Sequence, residues 1–265
     1  MFTEREITKF NDLIETLFSY DLGFVFRGQR DAGWPLESSL TRSLKKVSNA
    51  FGHFPIVEDI INDILNSRIH HYMHRDEAPK SALGWHAIAQ HHGAPTRLVD
   101  FTVLPLVALY FATRSLQRED NPFAIWVLNF RDVNDDCESI FTGIKIDEDP
   151  DGFFDDCAKN SATSNRQGLW VGEPRKVNLR LERQGGTFLI PTTTNKALFD
   201  LFCEATSRKT IRADKLIVSS SLLPEVQIYL KKSGITGSRL FDGVDGLASE
   251  ASDEINRMVS SLNGL

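Results

Sequence analysis

The chain has 265 residues, enough for one large domain or two small ones, and its 41% hydrophobic and 25% charged residues are ordinary for a soluble globular protein. Its three cysteines, Cys137, Cys157 and Cys203, form no C-x-x-C pair, which argues against a disulfide framework or a cysteine-rich zinc site. The N-terminus lacks the apolar core of a signal peptide, and the longest apolar run, residues 103–112, is about half a membrane span. These features predict a cytoplasmic protein that does not enter the membrane.

The net charge of −6 argues against non-specific binding of nucleic acid, but the charges are segregated along the chain. Residues 131–156 contain ten Asp or Glu and two Arg or Lys, whereas residues 23–46 and 166–183 each contain five Arg or Lys and two Asp or Glu. The two basic segments are either solvated faces or the borders of one site for an anionic ligand.

The first half of the chain predicts a mixture of helices and strands. A helix is predicted over residues 4–20, and Thr3 with Glu6 resembles a capping box at its start. The stretch "LGFVFRG" predicts a strand, and "SSLTR" opens a helix. Two further helices are predicted over residues 57–73 and 81–91. The stretch "RLVDF" then predicts a short strand, and "LPLVALYFATRSL" a buried helix with a proline in its first turn.

The second half begins with a buried strand at residues 123–130, followed by an acidic stretch that predicts a loop with a short helix. Residues 169–191 alternate between strand and turn, with "GGTFLIPT" as the clearest strand. The stretches "KALFDLFCEAT" and "LLPEVQIYLKKSG" predict helices on either side of the strand "KLIVSS", and the last twenty residues predict a peripheral helix. The pattern as a whole favours one compact α+β domain.

Several common motifs are missing, among them the P-loop, the G-x-G-x-x-G fingerprint and the G-x-S-x-G elbow. All seven histidines lie between His53 and His92, and His70 and His74 have the i, i+4 spacing of two zinc ligands on one helix. Because no glutamate completes an H-E-x-x-H arrangement, a polar helix face is favoured and no metal site is predicted.

Three stretches contain the polar residues of a candidate site. In "FVFRGQR", a strand with an apolar start would deliver Arg27 to a pocket at its end. In "AQHHGAPTRLVDFT", Arg97 and Asp100 either pair with each other or contact a ligand directly, and a histidine at the helix end is a candidate general base. In "LERQGGTFLI", polar residues precede two glycines, which either let a ligand approach closely or form a β-bulge.

The stretches "FRGQ", "WPLESSLTR", "AQHHGAPTRLVDFTVLPLVALYFA" and "RQGGTF" resemble the FRG-domain family of bacteria, named after the residues matched here by Phe26, Arg27 and Gly28. The resemblance spans roughly residues 23–190. It implies a single FRG domain over residues 1–265, with an N-terminal helix at 1–22, a core at 23–235 and a peripheral segment at 236–265. Domains of this family occur in bacterial defence and toxin-like contexts.

The pattern also resembles ADP-ribosyltransferases of the arginine–serine–glutamate kind, which implies an ADP-ribosyltransferase-like split β-sheet flanked by helices. By this resemblance Arg27 grips the diphosphate of NAD, and Thr102 takes the hydroxyl position before "ALYFA". The catalytic glutamate of the third strand is matched by Gln184 in the order Glu182-x-Gln184, with both side chains on one strand face. Either Glu182 or Asp100 then supplies the negative charge, or the domain binds without turnover.

The resemblance implies a catalytic set and an NAD-binding set, with NAD as substrate and no metal. The catalytic set is Arg27, Glu182, Gln184 and Thr102; the NAD-binding set is Arg27, Gly28, Gln29, His91, His92, Arg97 and Asp100. Gly28 would leave room for the ligand, and Gln29 would bond to ribose or hold the arginine.

The implied function is an NAD-dependent ADP-ribosyltransferase, acting as a toxin or phage-defence effector on RNA or, less favoured, on DNA or a protein. The alternatives are a non-catalytic sensor of nucleotides or nucleic acid, and an NAD hydrolase. The toxin role implies a neutralising antitoxin partner.

Overall fold

The computed structural model describes residues 2–44, 54–72, 74, 78–116, 121–160, 165–176, 179–208 and 210–262. These residues form a mixed α/β fold in which helices flank a seven-stranded sheet of order β1-β7-β4-β2-β3-β6-β5. The predicted α+β class is confirmed at this level. None of the helices in these ranges is long and apolar enough to cross a bilayer.

The strands are β1 (Thr3–Ile7), β2 (Phe24–Gln29), β3 (Val99–Thr102), β4 (Phe123–Asn129), β5 (Leu169–Gly172), β6 (Gly186–Pro191) and β7 (Ala213–Val218). The helices are α1 (Phe10–Ser19), α2 (Ser39–Leu44), α3 (Phe54–Arg68), α4 (Ala82–His91), α5 (Pro105–Thr113), α6 (Phe130–Ile140), α7 (Pro150–Asn160), α8 (Leu179–Arg183), α9 (Leu198–Ser207), α10 (Leu223–Lys232), α11 (Gly237–Leu240) and α12 (Gly243–Leu262). Short 3₁₀ turns lie at Ile69–His71 and Ser220–Leu222.

The sheet is nearly divided between β2 and β3. These two strands are joined by one residue pair, Phe26 with Thr102. By contrast, β2 pairs with β4 from Phe24 to Gln29, and β3 pairs with β6 along its whole length. Beyond Phe26 these two antiparallel strands no longer pair. The residues of β2 that follow Phe26 therefore border a gap in the sheet.

Apolar layers cover both faces of the first half of the sheet. Phe24 and Phe26 pack with α1, α5 and α10 on one face, whereas Val25 packs with β4 and α9 on the other. A strand buried on both faces reads as a continuous apolar run, which explains why "FVF" was recognisable in the sequence. A third apolar cluster lies under α4 and α7, against β5 and β6.

Gly28 is the point where the backbone of α5 crosses β2. A Cβ atom at this position would lie 2.0 Å from the carbonyl oxygen of Ala108 and 2.5 Å from the amide nitrogen of Ala112. The two alanines of "ALYFA", one helical turn apart, leave the space for this crossing. The glycine therefore serves helix packing, and the prediction that it also leaves room for a ligand stays a prediction.

Gly28→Ala is therefore expected to lower the free energy of unfolding by roughly 1–3 kcal/mol, the usual cost of overpacking. Backbone atoms of a helix cannot move aside as a flexible side chain can. Urea denaturation would measure the change, with Gly33→Ala as the control, because Gly33 is exposed and its nearest neighbour is the Asp31 side chain. Equal stability of the two variants would contradict the crossing.

The N-terminal segment differs from the prediction. Residues 3–7 are not the start of a helix but strand β1, which pairs in parallel with β7, and α1 begins only at Phe10. The predicted helix at residues 1–22 is thus corrected to a strand followed by a helix. Pairing with a strand more than two hundred residues away in the chain overrides the local helical pattern.

Two segments of the second half also differ. The acidic stretch contains two eleven-residue helices, α6 and α7, rather than a loop with one short helix. Helix α6 buries Val133 and Cys137 and uses the side chain of Asn134 to bond the backbone of Val171 in β5. Glu182, predicted to begin a strand, lies in helix α8, and β6 begins only at Gly186.

Candidate functional site

A cavity of about 450 Å³ opens where β2 and β3 part. Its walls come from β2, β3, the C-terminal parts of α4 and α5, and the segment from α8 to β6. The lining residues are Phe26, Arg27, Gly28, Arg30, Ala87, Gln90, His91, Asp100, Phe101, Thr102, Ala108, Phe111, Arg114, Ser115, Arg180, Leu181, Gln184 and Phe188. We call this cavity the cleft.

Arg27 lies at the parting of the two strands. Its Nη1 donates to the backbone carbonyl oxygen of Asp100 at 2.7 Å, so the guanidinium crosses the gap from β2 to β3. Its Nε is buried and has no hydrogen-bond partner among the described residues. Burial lowers the pKa of Arg27, and the Asp100 carboxylate opposes this shift. Arg27 thus lines the cleft as predicted, but from within β2, which continues to Gln29, rather than from the end of the strand.

Asp100 is the sole carboxylate among the described residues that line the cleft. Its Oδ1 accepts a hydrogen bond of 2.6 Å from Gln90 Nε2, and the Gln90 side-chain oxygen accepts one from the Thr96 hydroxyl. Asp100 itself is exposed to the cleft solvent. The side chains of α4 and of the following turn thus fix the position of an accessible negative charge.

Cations dominate the rest of the polar lining. Arg30, Arg114 and Arg180 join Arg27 in the cleft, so four guanidinium groups face one carboxylate. The guanidinium carbons of Arg114 and Arg180 each lie 4.9 Å from the ring centre of Phe241. Arg27 and Arg30 come from the first basic segment and Arg180 from the second, so the two segments do border one cavity. The sequence did not indicate that Arg114 belongs to the cleft, because a single arginine after an apolar helix forms no pattern that points to a site.

Thr102 and Gln184 line the cleft, but their polar groups hold the structure together. The Thr102 hydroxyl donates to the backbone carbonyl oxygen of Gln184 at 2.6 Å and accepts from the amide of Leu104. The Gln184 side-chain nitrogen donates to the carbonyl oxygen of Leu240. These bonds join β3, the turn before β6 and α11, which gives both residues a structural role.

Glu182 does not share a strand face with Gln184. It is exposed on helix α8 and does not line the cleft, whereas Gln184 lies in the turn after that helix. The predicted strand geometry, with the Glu182 carboxylate beside a ligand, is therefore wrong. The reason is local: Gly185 adopts a left-handed φ of 52° and ends the helix, so the strand starts one residue later.

Three other predicted binding residues lie outside the cleft. Gln29, the last residue of β2, is buried; its side chain accepts a hydrogen bond from Trp126 Nε1 and donates one to the carbonyl oxygen of Pro35. Arg97 forms a buried ion pair with Glu58 instead of pairing with Asp100. His92 is exposed and borders a separate apolar groove between α3 and α4.

His91, in contrast, lines the cleft at the end of α4. Burial lowers its pKa, and the nearby charges of Arg180 and His92 lower it further, while Asp242 and Asp245 act in the opposite direction. The imidazole is therefore neutral near pH 7 and is able to accept a proton.

The histidine pair suggested by the sequence does not share a helix face, since α3 ends at Arg68 and His74 lies outside any helix. Within the described ranges, no group of three or more His, Cys, Asp or Glu is placed to hold a metal ion.

His86 and the Arg97–Glu58 pair form a buried polar cluster behind the cleft. His86 is 1% exposed, and its Nδ1 has no hydrogen-bond partner in the part of the chain that the structure describes. Burial lowers the pKa of His86 to about 4, with the Glu58 carboxylate opposing and the Arg97 cation assisting the shift.

This cluster predicts a loss of stability in mild acid. As pH falls below 6.5, unfolded His86 binds a proton that the folded form does not bind until pH approaches about 4. Between about pH 7 and about pH 5 the free energy of unfolding should fall by roughly 2 kcal/mol on account of this residue. Urea denaturation at both pH values should show a smaller loss for His86→Phe; equal losses would contradict this.

The fold and the cleft together define a mixed α/β protein with an arginine-rich cavity at the parting of its sheet. Residues 23–121 match the model of the FRG domain. Over these residues the match confirms the resemblance to the FRG-domain family that the motifs predicted. The match contains Arg27, Gln90, Asp100 and Arg114, whereas the extension of the resemblance to residue 190 and beyond stays a prediction. No curated protein and no solved structure matches this chain.

Proposed function

We propose that the cleft binds NAD and transfers its ADP-ribose group to an acceptor macromolecule. The single observation that carries this proposal is the state of Arg27, whose buried Nε lacks a hydrogen-bond partner among the described residues. The same guanidinium is bonded to the backbone of Asp100, the acidic residue of the cleft. A buried donor without a partner is costly, and an anionic ligand would satisfy it.

The lining of the cleft suits a dinucleotide. A guanidinium offers a planar pair of donors that matches phosphate oxygens, and Arg27 has such donors to spare. The rings of Phe26, Phe101, Phe111 and Phe188 line the same cavity and provide apolar surface for planar bases. A volume of about 450 Å³ is within the usual range of small-molecule sites.

The proposed reaction breaks the bond between nicotinamide and the ribose carbon, and the bonding electron pair leaves with nicotinamide. Positive charge then develops on the ribose, and the Asp100 carboxylate stabilises it. Such a charge favours the transition state over the ground state, because it acts on charge that appears only during the reaction. A hydroxyl of the acceptor attacks the same ribose carbon.

The proton of the attacking hydroxyl goes to His91. Its lowered pKa keeps the imidazole neutral near pH 7, and it lines the same cavity as Asp100. A general base is useful only when it is deprotonated at the working pH, so burial of this histidine suits the role. The products are the ADP-ribosylated acceptor, nicotinamide and a proton released to solvent.

A non-catalytic sensor of nucleotides is the second candidate. It is favoured by Gln184, which places an amide where the resemblance to ADP-ribosyltransferases implies a catalytic glutamate, and by the structural hydrogen bonds of Thr102. The same site would act as an NAD hydrolase if water replaced the acceptor.

The acceptor that we favour is RNA, with DNA or a protein as alternatives. The arginines of the cleft provide local attraction for a polyanion despite the net charge of −6. The proposed biological role is that of a toxin or phage-defence effector, for which a neutralising partner protein is expected.

The test is nicotinamide release from NAD, measured for the protein alone and with total RNA or cell lysate. We expect release that depends on the acceptor. Release without any acceptor would indicate hydrolysis, and NAD binding without release would indicate the sensor. The absence of both binding and release would contradict the proposal.

A further inference from the structure

Two cations are held together at one wall of the cleft by a shared aromatic ring, and neither makes a direct ion pair within the described residues. Arg114, at the end of α5, and Arg180, on α8, converge on the ring of Phe241, each at 4.9 Å from its centre. The neighbouring Asp242 is engaged by Arg183. Like charges held together are unfavourable unless an anion joins them.

Burial adds to this cost. Removal from solvent lowers the pKa of Arg180, and the charge of Arg114 lowers it further, while the carboxylates of Asp100, Asp242 and Asp245 act in the opposite direction. Arg180 makes one hydrogen bond among the described residues, a long one of 3.4 Å to the carbonyl oxygen of His91. Most of the donor capacity of this partly buried guanidinium is thus left for a ligand.

Ser115 follows Arg114 and lines the same wall. Its φ is 63°, the one positive φ recorded for a non-glycine residue in the described chain. A left-handed conformation at the end of a helix ordinarily calls for glycine, so serine is a strained choice here. Strained backbone conformations cluster at functional sites, and the Ser115 side chain is exposed and makes no hydrogen bond with another described residue.

Arg114, Ser115 and Arg180 line the cleft from the end of α5 and from α8, whereas Arg27 lines it from β2. The cation that lowers the pKa of Arg27 is Arg42, whereas the one that lowers the pKa of Arg180 is Arg114. The Asp100 carboxylate acts on both Arg27 and Arg180. Asp100 is therefore a charge that acts on cations from both sides of the cleft.

We propose that Arg114, Ser115 and Arg180 form a second phosphate subsite, which binds a backbone phosphate of a single-stranded RNA acceptor. This inference rests on the proposed function, in which Arg27 binds the diphosphate of NAD. RNA is favoured because its phosphates are separated from the NAD diphosphate and so require a cationic group of their own. The Ser115 hydroxyl adds a donor to the two guanidinium groups.

The test measures binding of a short fluorescent single-stranded RNA by anisotropy at several salt concentrations, without NAD. Arg114→Gln and Arg180→Gln should each weaken RNA binding about threefold to tenfold at low salt and reduce the slope of log affinity against log salt by about 0.7. NAD affinity, measured by calorimetry on the same proteins, should fall by a smaller factor than RNA affinity does. An RNA analogue with an uncharged backbone should bind the wild type and both variants equally.

Arg183→Gln is the matched control, since Arg183 lies on the same helix but is exposed and paired with Asp242, and it should leave RNA affinity unchanged. Ser115→Gly should raise the stability of the protein to urea, because the strain is relieved, and should weaken RNA binding about twofold to threefold. An unchanged RNA affinity in Ser115→Gly would remove this residue from the subsite.

The proposal is overturned if Arg114→Gln and Arg180→Gln weaken NAD binding instead of RNA binding, or if they affect neither. It is also overturned if they abolish transfer to a protein fraction while RNA binding is unchanged. RNA binding that depends on both arginines, without nicotinamide release under any condition, would support the subsite and contradict the transferase function, so the two failures are distinguishable.

Discussion

Asp100→Asn is expected to slow acceptor-dependent nicotinamide release by a factor on the order of 10²–10³, equivalent to about 3–4 kcal/mol of lost transition-state stabilisation. The substitution removes the negative charge but keeps an oxygen that is able to accept the hydrogen bond from Gln90. The position of the side chain should therefore be preserved, and NAD affinity should change little, because the charge acts mainly on the transition state.

Glu182→Gln is the control for this loss. Glu182 is exposed on α8 and lies outside the cleft, so its neutralisation should leave both turnover and melting temperature unchanged. Together the two variants decide which carboxylate serves the reaction. Full turnover in Asp100→Asn combined with a large loss in Glu182→Gln would contradict the assignment made from the structure.

Arg27→Lys is expected to weaken NAD binding by roughly 10- to 100-fold, the equivalent of about 1.5–3 kcal/mol for hydrogen bonds to a charged group. An ammonium keeps the charge but loses the planar pair of donors, and it lacks an Nε positioned to meet a phosphate oxygen. The apolar neighbours Phe26 and Val25 hold the strand independently, so the fold should persist.

Calorimetric titration of NAD into the variant and the wild type would measure this effect. Arg131→Lys serves as the control, because Arg131 is an exposed arginine on α6 that does not line the cleft. NAD affinity equal to that of the wild type in a folded Arg27→Lys protein would rule out the phosphate role of this guanidinium.

The segments that the sequence predicted well are those with strong local signals. Strand β2 is buried on both faces and reads as an unbroken apolar run before Arg27, and α5 begins with Pro105 at its first turn. These two elements also set the position of the cleft, because the close crossing at Gly28 fixes the helix on the strand. The delivery of an arginine to a pocket could thus be predicted from the sequence.

The segments that were predicted wrongly depend on distant partners. Strand β1 forms because it pairs with β7, and nothing in the sequence near Thr3 or Glu6 indicates that pairing. Helix α8 moved Glu182 away from the cleft because a left-handed Gly185 ends a short helix where a β-bulge or strand was expected. The choice between such alternatives is made by tertiary packing, which spacing within one segment does not reveal.

The pair of arginines at the Phe241 ring could not be predicted from the sequence for the same reason. Arg114, Arg180 and Phe241 come from three separate parts of the chain, and only the folded structure stacks both guanidinium groups against one ring. The suggested pairing of Arg97 with Asp100, one of two alternatives, is not found because Arg97 pairs with Glu58 of α3, about forty residues earlier in the chain.

A crystal structure of the protein with a slowly cleaved NAD analogue tests the central claim most directly. We predict density in the cleft with a phosphate oxygen within hydrogen-bond distance of Arg27 Nε and the ribose carbon beside the Asp100 carboxylate. An analogue bound elsewhere, for example in the apolar groove between α3 and α4, or bound in the cleft without contact to Arg27, would contradict the account.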